Sequence, residues 1–414
     1  MVNSALIERF LRYVKIDTQS DEESGKVSPS TDRQRNLAAL LVQELKGFGL
    51  EHVVYDEAHC YVYAFLPGNA PADSSAAKTS AGGAAPGRGP IGFIAHMDTS
   101  PAVSGSGVNP RIIRGYDGKD ALLKSEEFPE LAKHIGEDLI ATDGMTLLGA
   151  DDKAGVAEIM NLLEYYTSHP ELPHRPIWAA FTPDEEIGAG TAAFDLAQFP
   201  APAAYTVDGG AFGIVEYECF NAAQAVVTVH GRSVHPGSAK GLMINALQVA
   251  MDFHQMLPVW ERPEHTELYE GFYMPEKMSG TVEEAQLTYI IRDHDQGMFA
   301  SRKERLKSIA AQLNAGYDAE IVEVTLKDQY YNMADGMKDH MELIEDAFAA
   351  IRRLGGDPQS LPIRGGMDGA VLTWKGLSCP NLCTGGYNYH SRYEFASIPE
   401  MEKCAQLLIL LAEA

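Results

Sequence analysis

Five polar clusters each follow a short apolar run: His96-Met-Asp98-Thr, Gly149-Ala-Asp151-Asp152-Lys153, Asp184-Glu185-Glu186, Val207-Asp208-Gly-Gly and Tyr389-His390. Open α/β sheets place their sites just past strand ends. Taken singly, each cluster has an ordinary reading: a histidine after a strand is commonly a hydrogen-bonded rim residue, Asp-Asp-Lys before a helix caps it, and Asp-Glu-Glu is a solvated turn. Taken together, two histidines and several carboxylates behind apolar strands are costly to bury without a cation. Imidazole with carboxylate suits zinc or a neighbouring divalent ion, and a two-metal site needs one carboxylate able to bridge. Asp151 is the natural bridge. In His96-Met97-Asp98 the strand alternation sends His96 and Asp98 to one face, so Asp98 can orient the imidazole. In Glu185-Glu186 one acid can bind metal while its neighbour takes a proton from the water held there. The chemistry implied is hydrolysis.

The elements that must position these residues are legible as patterns. Ile91-Gly-Phe-Ile-Ala95 and Ile177-Trp-Ala-Ala-Phe181 are continuous apolar runs, as in strands buried on both faces, and a helical stretch on Val156, Ile159, Met160 and Leu163 lies between them. The fold class expected is α/β, a mixed, mainly parallel sheet flanked by helices. Two amphipathic helices open the chain, on Leu6, Ile7, Phe10, Leu11 and Val14 and on Leu37, Leu40, Leu41, Leu45 and Phe48. After Gly210 the texture changes to strands over 224–229, 286–291 and 321–326 and helices over 243–256 and 300–313, a smaller α+β unit. From Asp335 the first texture returns, with a helix over 341–354, the Gly-rich Arg364-Gly-Gly-Met-Asp-Gly-Ala, a short strand before Thr384 and a last helix from Pro399. The expected organisation is a discontinuous catalytic domain over 1–213 and 331–414, with an inserted lid and dimerisation-type domain over 214–330. At 69–89, 16 of 21 residues are Ala, Gly, Ser or Pro, which predicts a flexible loop within the catalytic domain.

Composition removes several function classes. Against 58 Asp+Glu the 414 residues carry 33 Lys+Arg, a formal charge of −25 that repels phosphate backbones and anionic lipid. Neither nucleic acid nor a membrane is an expected partner. The five cysteines are odd in number, and Cys379 and Cys383 form no CxxC, so they read as small buried hydrophobes in a reducing compartment. Glu8, Arg9, Arg12 and Lys15 interrupt any N-terminal apolar stretch, and no run reaches the length of a spanning helix, which makes the expected location cytoplasmic. The Gly-rich stretches Gly105-Ser-Gly107 and Arg364-Gly-Gly366 lack both the GxGxxG and the GxxxxGK[ST] patterns, which leaves nucleotide binding unsupported, and the sequence contains no GxSxG or HExxH, which sets aside serine hydrolysis and zincin chemistry.

The order and wording of the clusters resemble the dinuclear zinc peptidases of the aminoacylase, succinyl-diaminopimelate desuccinylase and glutamate carboxypeptidase group, and within it most closely the tripeptide aminopeptidases. Five segments carry the resemblance: Gly92-Phe-Ile-Ala-His96-Met-Asp98-Thr-Ser-Pro101, Leu148-Gly-Ala-Asp151-Asp152-Lys153-Ala-Gly155, Phe181-Thr-Pro-Asp-Glu185-Glu186-Ile-Gly188, Thr206-Val-Asp208-Gly-Gly210 and Gly385-Gly-Tyr-Asn-Tyr-His390. It runs over essentially the whole chain. It implies two zinc ions per subunit, one held by His96 and Asp208, the other by Glu186 and His390, with Asp151 bridging. It also implies Glu185 as general base, Asp98 as orienting acid and a cis peptide between Asp151 and Asp152. Val234-His235-Pro-Gly and Lys240-Gly-Leu-Met-Ile-Asn245-Ala resemble the family's lid segment, whose histidine contacts the scissile carbonyl oxygen, so His235 and Asn245 join the candidate substrate-binding residues. The 69–89 stretch is longer and simpler than the family pattern.

The reaction so implied removes the N-terminal residue from short peptides, above all tripeptides. Reading both peptide ends calls for charged side chains, and Arg292 and Arg364 are the candidates for the substrate carboxylate because a guanidinium pairs with it bidentately. The ordinary reading of each arginine is a surface ion pair. The competing enzyme is an N-acyl amino acid amidohydrolase with the same metal centre; the competing non-enzyme is a metal- or peptide-binding protein, which would have no use for the base Glu185. The expected partners are a small peptide substrate and a second copy of the chain in a homodimer.

Overall fold

The computed structural model describes residues 3–24, 27–69 and 89–414. The 69–89 stretch therefore lies, apart from its two ends, outside the described residues. The chain divides into two compact units, one of Met1–Tyr217, Gly336–Ser360 and Met367–Ala414, the other of Glu218–Asp335 and Leu361–Gly366.

The first unit is built on a seven-stranded sheet in the order His52–Asp56, Tyr61–Leu66, Ile177–Thr182, Ile91–His96, Ala204–Gly209, Asn381–Cys383, Val215–Glu216. The four central strands run parallel, and the antiparallel strands lie at the two ends. Both faces of the centre are buried, which is why its strands read as continuous apolar runs rather than alternating ones. Strand alternation divides them: Phe93, Ala95, Ala179 and Phe181 enter one core with the helices Ala150–Ser168 and Ile398–Ala412, while Ile94, Trp178 and Ala180 enter another with Tyr61, Tyr63 and Phe199. At Gly92 a Cβ would sit 2.4 Å from the Phe199 ring, so the second core closes only over glycine. Alanine there is expected to cost about 1–3 kcal/mol through overpacking. A separate four-stranded antiparallel sheet, Gly386–Tyr387, Phe395–Ser397, Leu139–Ala141 and Arg111–Ile113, has its own small core on Tyr116, Leu123, Leu131 and Phe395. Its strands of two or three residues show no periodicity in the sequence.

The second unit is a four-stranded antiparallel sheet, Phe272–Gly280, Glu284–Asp293, Asn221–His230 and Val322–Tyr330, packed against the helices Ala246–Gln255 and Gln296–Tyr317. The strand Phe272–Gly280 is not foreseen in the sequence reading. It is an edge strand, exposed from Pro275 onward, and Pro275 and Lys277 are the devices that keep an edge from pairing further and also hide it in the sequence pattern. Leu361–Gly366, expected with the catalytic domain, belongs to the second unit, where Ile363 N–H donates to Glu218 C=O at 2.9 Å and pairs beside Cys219. All five cysteines are buried and free. Among the described residues no helix is long and apolar enough to cross a membrane.

Candidate metal centre

The first unit brings His96, Asp98, Asp151, Glu185, Glu186, Asp208 and His390 into one cluster. His96 ends its strand, Asp208 lies one residue before the end of the parallel strand Ala204–Gly209, and Glu185–Ile187 is a single turn entered through Asp184 in the left-handed region (φ 57°). Gly149, at φ 80°, turns the chain so that Asp151 meets the strand ends, and the Asp151–Asp152 peptide is cis. At Gly155 in the helix that follows, a Cβ would lie 1.8 Å from Val207 C=O, so only glycine lets that helix pass the strand that carries Asp208.

The Asp151 carboxylate divides between two imidazoles. Oδ1 lies 2.9 Å from His96 Nε2, and Oδ2 lies 3.1 Å from His390 Nε2. Asp208 Oδ1 is 3.4 Å from the same His96 nitrogen, and Glu186 Oε2 is 2.8 Å from that of His390. The result is two imidazole–carboxylate sets sharing one acid. Glu185 Oε2 stands 3.9 Å from His96 Nε2, beside both sets without joining either. Fully buried Asp98 faces the other His96 nitrogen: Nδ1 is 3.1 Å from Asp98 C=O and 3.3 Å from its Oδ1. A proton on Nδ1 satisfies these acceptors and leaves the Nε2 lone pair facing Asp151 and Asp208, the tautomer a metal ligand needs. The same carboxylate accepts the N–H groups of Glu185 at 3.0 Å and Glu186 at 3.2 Å.

The electrostatics mark the cluster as incomplete on its own. Burial, followed by the nearby Asp208 charge, raises Glu185 well above its ordinary value. Burial likewise pushes Glu186 up to about 7, with Asp151 adding to it, and pushes Asp208 up to about 7. Hydrogen bonds to Asp151 and Glu186 raise His390 to about 10. Burial alone would lower His96, yet the Asp208 charge and its carboxylate hydrogen bonds carry it well above the usual imidazole range. Glu186 Oε1 is buried with no hydrogen-bond partner among the described residues. A divalent cation would supply that partner and remove both the repulsion and the desolvation cost. Donor atoms of His96, Asp151 and Glu186 lie within 4.8 Å of one another, as do those of His96, Asp152 and Asp208. Asp152 is the exception among these donors, because its carboxylate already accepts His96 N–H at 3.1 Å and Gly155 N–H at 3.2 Å.

A cavity of about 480 Å³ opens at Glu186 and His390 and is lined further by Asp21, Glu22, Glu23 and Ser100, with no lysine or arginine among its described lining residues. A larger cavity, about 670 Å³, lies in the second unit between Gln296–Tyr317 and Val322–Tyr330 and contains no imidazole. The chemistry, rather than size, selects the smaller one.

Several supporting contacts join positions far apart in the chain and carry no signal in the sequence. Asn381 Oδ1 accepts Asp208 N–H at 3.1 Å, Tyr389 OH donates to Gly209 C=O at 2.8 Å, and Asp184 accepts Ser30 N–H at 2.8 Å and Gln34 Nε2–H at 2.6 Å. The remaining candidates lie in the second unit. His235 Nδ1 accepts Gly237 N–H at 3.1 Å, and Asn245 Oδ1 caps the helix Ala246–Gln255. Arg292 stacks on Tyr330 and donates to Ile291 C=O at 3.0 Å. Arg364 donates to Leu268 C=O, Glu270 C=O and Thr266 Oγ1 at 2.8–2.9 Å and stacks on Phe220, so its guanidinium braces the 266–270 segment.

Residues 217–319 match a family described as a peptidase dimerisation domain. Among solved structures the chain is similar to an aminopeptidase from Bacillus cereus ATCC 10987 (TM-score 0.75, 20% identity, 100% of this chain and 99% of that one). It is also similar to a tripeptidase from Staphylococcus aureus (TM-score 0.77, 20% identity, 99% and 97%). A dinuclear metal-binding peptidase of the M20 family from Bacillus subtilis shares the fold at TM-score 0.67 and 14% identity, over 99% and 97%. The fold is therefore one that these peptidases share. Curated relatives are nearer in sequence: peptidase T of Caldanaerobacter subterraneus is 49% identical over 99% of this chain and 98% of its own, and that of Geobacillus thermodenitrificans 49% over 98% and 96%. The chain belongs to the peptidase T family and is an exopeptidase.

Proposed function

We propose that this chain is a two-zinc aminopeptidase that releases the N-terminal residue of tripeptides. The observation that carries the reading is the Asp151 carboxylate divided between His96 and His390, each accompanied by its own acid, with Glu185 alongside. His96 and Asp208 would hold one ion, Glu186 and His390 the other, and Asp151 both. Bound zinc supplies Lewis acidity, polarising a carbonyl and lowering the pKa of water toward about 7. Glu185 is the base that accepts the proton of the attacking water and returns it to the leaving amine. Asp98 keeps the His96 ring and the Glu185–Glu186 turn in place throughout.

The acidic cavity supports an amino-terminal rather than an acylated substrate. Asp21, Glu22 and Glu23 line it, so a free ammonium entering beside Glu186 meets opposite charge, whereas an acyl cap loses that attraction. The second unit is read as the lid and dimerisation domain, on its match to the dimerisation family. Five buried free thiols suit a reducing compartment and support a cytoplasmic location.

Product analysis on free, N-acetylated and C-amidated forms of one tripeptide, with metal content measured in parallel, tests the reading. Release of the first residue from the free peptide alone is expected. Acetate release from the N-acetylated form would replace the aminopeptidase reading with the amidohydrolase one.

A further inference from the structure

Glu394 is almost wholly buried, 1% exposed, four residues beyond His390. Its carboxylate faces the loop that leads into Asp151. Oε2 accepts the N–H groups of Leu148 at 2.7 Å and Gly149 at 2.8 Å, and Oε1 accepts that of Asp151 at 3.1 Å. The left-handed Gly149 turns neighbouring N–H groups toward one point, a concavity that suits an anion. On its own side Glu394 closes a braced turn: its N–H donates to Ser391 C=O at 3.3 Å, Ser391 Oγ donates to Asn388 C=O at 2.6 Å, and Asn388 Nδ2 donates to Tyr393 C=O at 3.2 Å. His390 sits inside that turn. Beyond it, Phe395 pairs with Ala141 in the small sheet. One carboxylate therefore ties the loop presenting Asp151 to the loop presenting His390, while touching neither the Asp151 carboxylate nor the His390 ring.

We infer that Glu394 is a positioning residue that sets the separation of Asp151 and His390 across the metal centre, and so the affinity of the ion they share. The inference rests on the metal reading above. Three N–H groups converging on one carboxyl fix the loop against the 388–394 turn. Glu394→Gln keeps the shape but leaves one oxygen and an NH₂ facing three donors, so at least one loop N–H meets another donor. Glu394→Asp keeps both oxygens and withdraws them by one methylene.

The test is Zn²⁺ affinity of the folded metal-free proteins, measured by competition with a chromophoric chelator well below their melting temperatures, together with Tm and the visible spectrum after Co²⁺ loading. Both variants are expected to remain folded, to bind Zn²⁺ about 10–100-fold more weakly and to show an altered Co²⁺ spectrum, with kcat reduced and partly restored by excess zinc. A residue serving only the fold would lower the metal-free Tm and leave affinity and spectrum unchanged; that result overturns the inference. Failure of both variants to fold overturns it too. If the wild-type protein itself takes up no Zn²⁺, the metal reading falls instead, and the two failures are distinct.

Discussion

The Asp98 carboxylate accepts the Glu185 backbone N–H through Oδ1 at 3.0 Å, the same oxygen that stands 3.3 Å from His96 Nδ1. One buried acid thus orients an imidazole and anchors the turn that carries Glu185, the proposed base. Asp98→Ala is expected to lower metal affinity or activity about 10–100-fold, the usual loss for an outer partner of a ligand. Kinetics with zinc titration check it, and unchanged values in a folded variant would remove Asp98 from the site.

Asp151 and Glu185 should separate cleanly. Asp151→Ala removes the shared acid and is expected to abolish activity along with bound metal. Glu185→Gln is expected to retain metal and lower kcat by about 10²–10⁴, the range for a lost general acid–base group. Metal analysis beside steady-state kinetics distinguishes them, and near-wild-type kcat in the metal-loaded Gln variant would refute the assigned base.

The metal-free protein should become less stable as pH rises. Burial holds Glu186 and Asp208 near 7, above the ordinary 4.5 and 3.8, so the folded state keeps protons that the unfolded chain has released, and their contribution fades as pH climbs toward 7. His390, raised from 6.5 to about 10, contributes fully below 6.5 and loses its contribution as pH passes about 10. Asp151 is held below its usual range by His390 and His96 in spite of burial, and contributes evenly across neutral pH. Thermal melts of chelator-treated protein between about pH 5 and pH 8 should show falling Tm, and added zinc should raise Tm more at the upper end, where its ligands need not lose protons. A flat or rising profile would contradict the cluster's electrostatics.

His235 caps the Pro236–Ser238 turn through Nδ1, and in the neutral ring that bond leaves the proton on Nε2. Capping and donation to an oxyanion are therefore compatible. His235→Ala is expected to lower kcat by about 10²–10³ with metal content intact and KM little changed, the loss typical of one oxyanion donor. A change confined to KM or to Tm would leave only the cap.

What the sequence revealed depended on how far apart the partners lie. The strands ending at His96 and Thr182 announce themselves as apolar runs because both their faces are buried, and the Ala150–Ser168 helix by its spacing. The Asp98–Glu185 bond joins positions 87 apart, and Glu394 is one of 58 acidic residues with nothing in its neighbours to mark it. Asp152 adjoins the bridging candidate Asp151, and its carboxylate is spent on two backbone N–H groups, a use that only the fold shows. The edge strand Phe272–Gly280 escaped for the opposite reason, since little of it is buried.

The strand Asn381–Cys383 lies between Ala204–Gly209 and Val215–Glu216, segments made far earlier in synthesis. Until it emerges from the ribosome the sheet has an unfilled slot beside Asp208, Asn381 is not there to hold that residue's N–H, and His390 does not yet exist. Closing the sheet demands contacts of long sequence separation, which are slow to form. On the proposed metal reading, a nascent chain that has not yet reached His390 lacks part of the ligand set, and with it the means to draw on the cell's metal or to cleave a peptide.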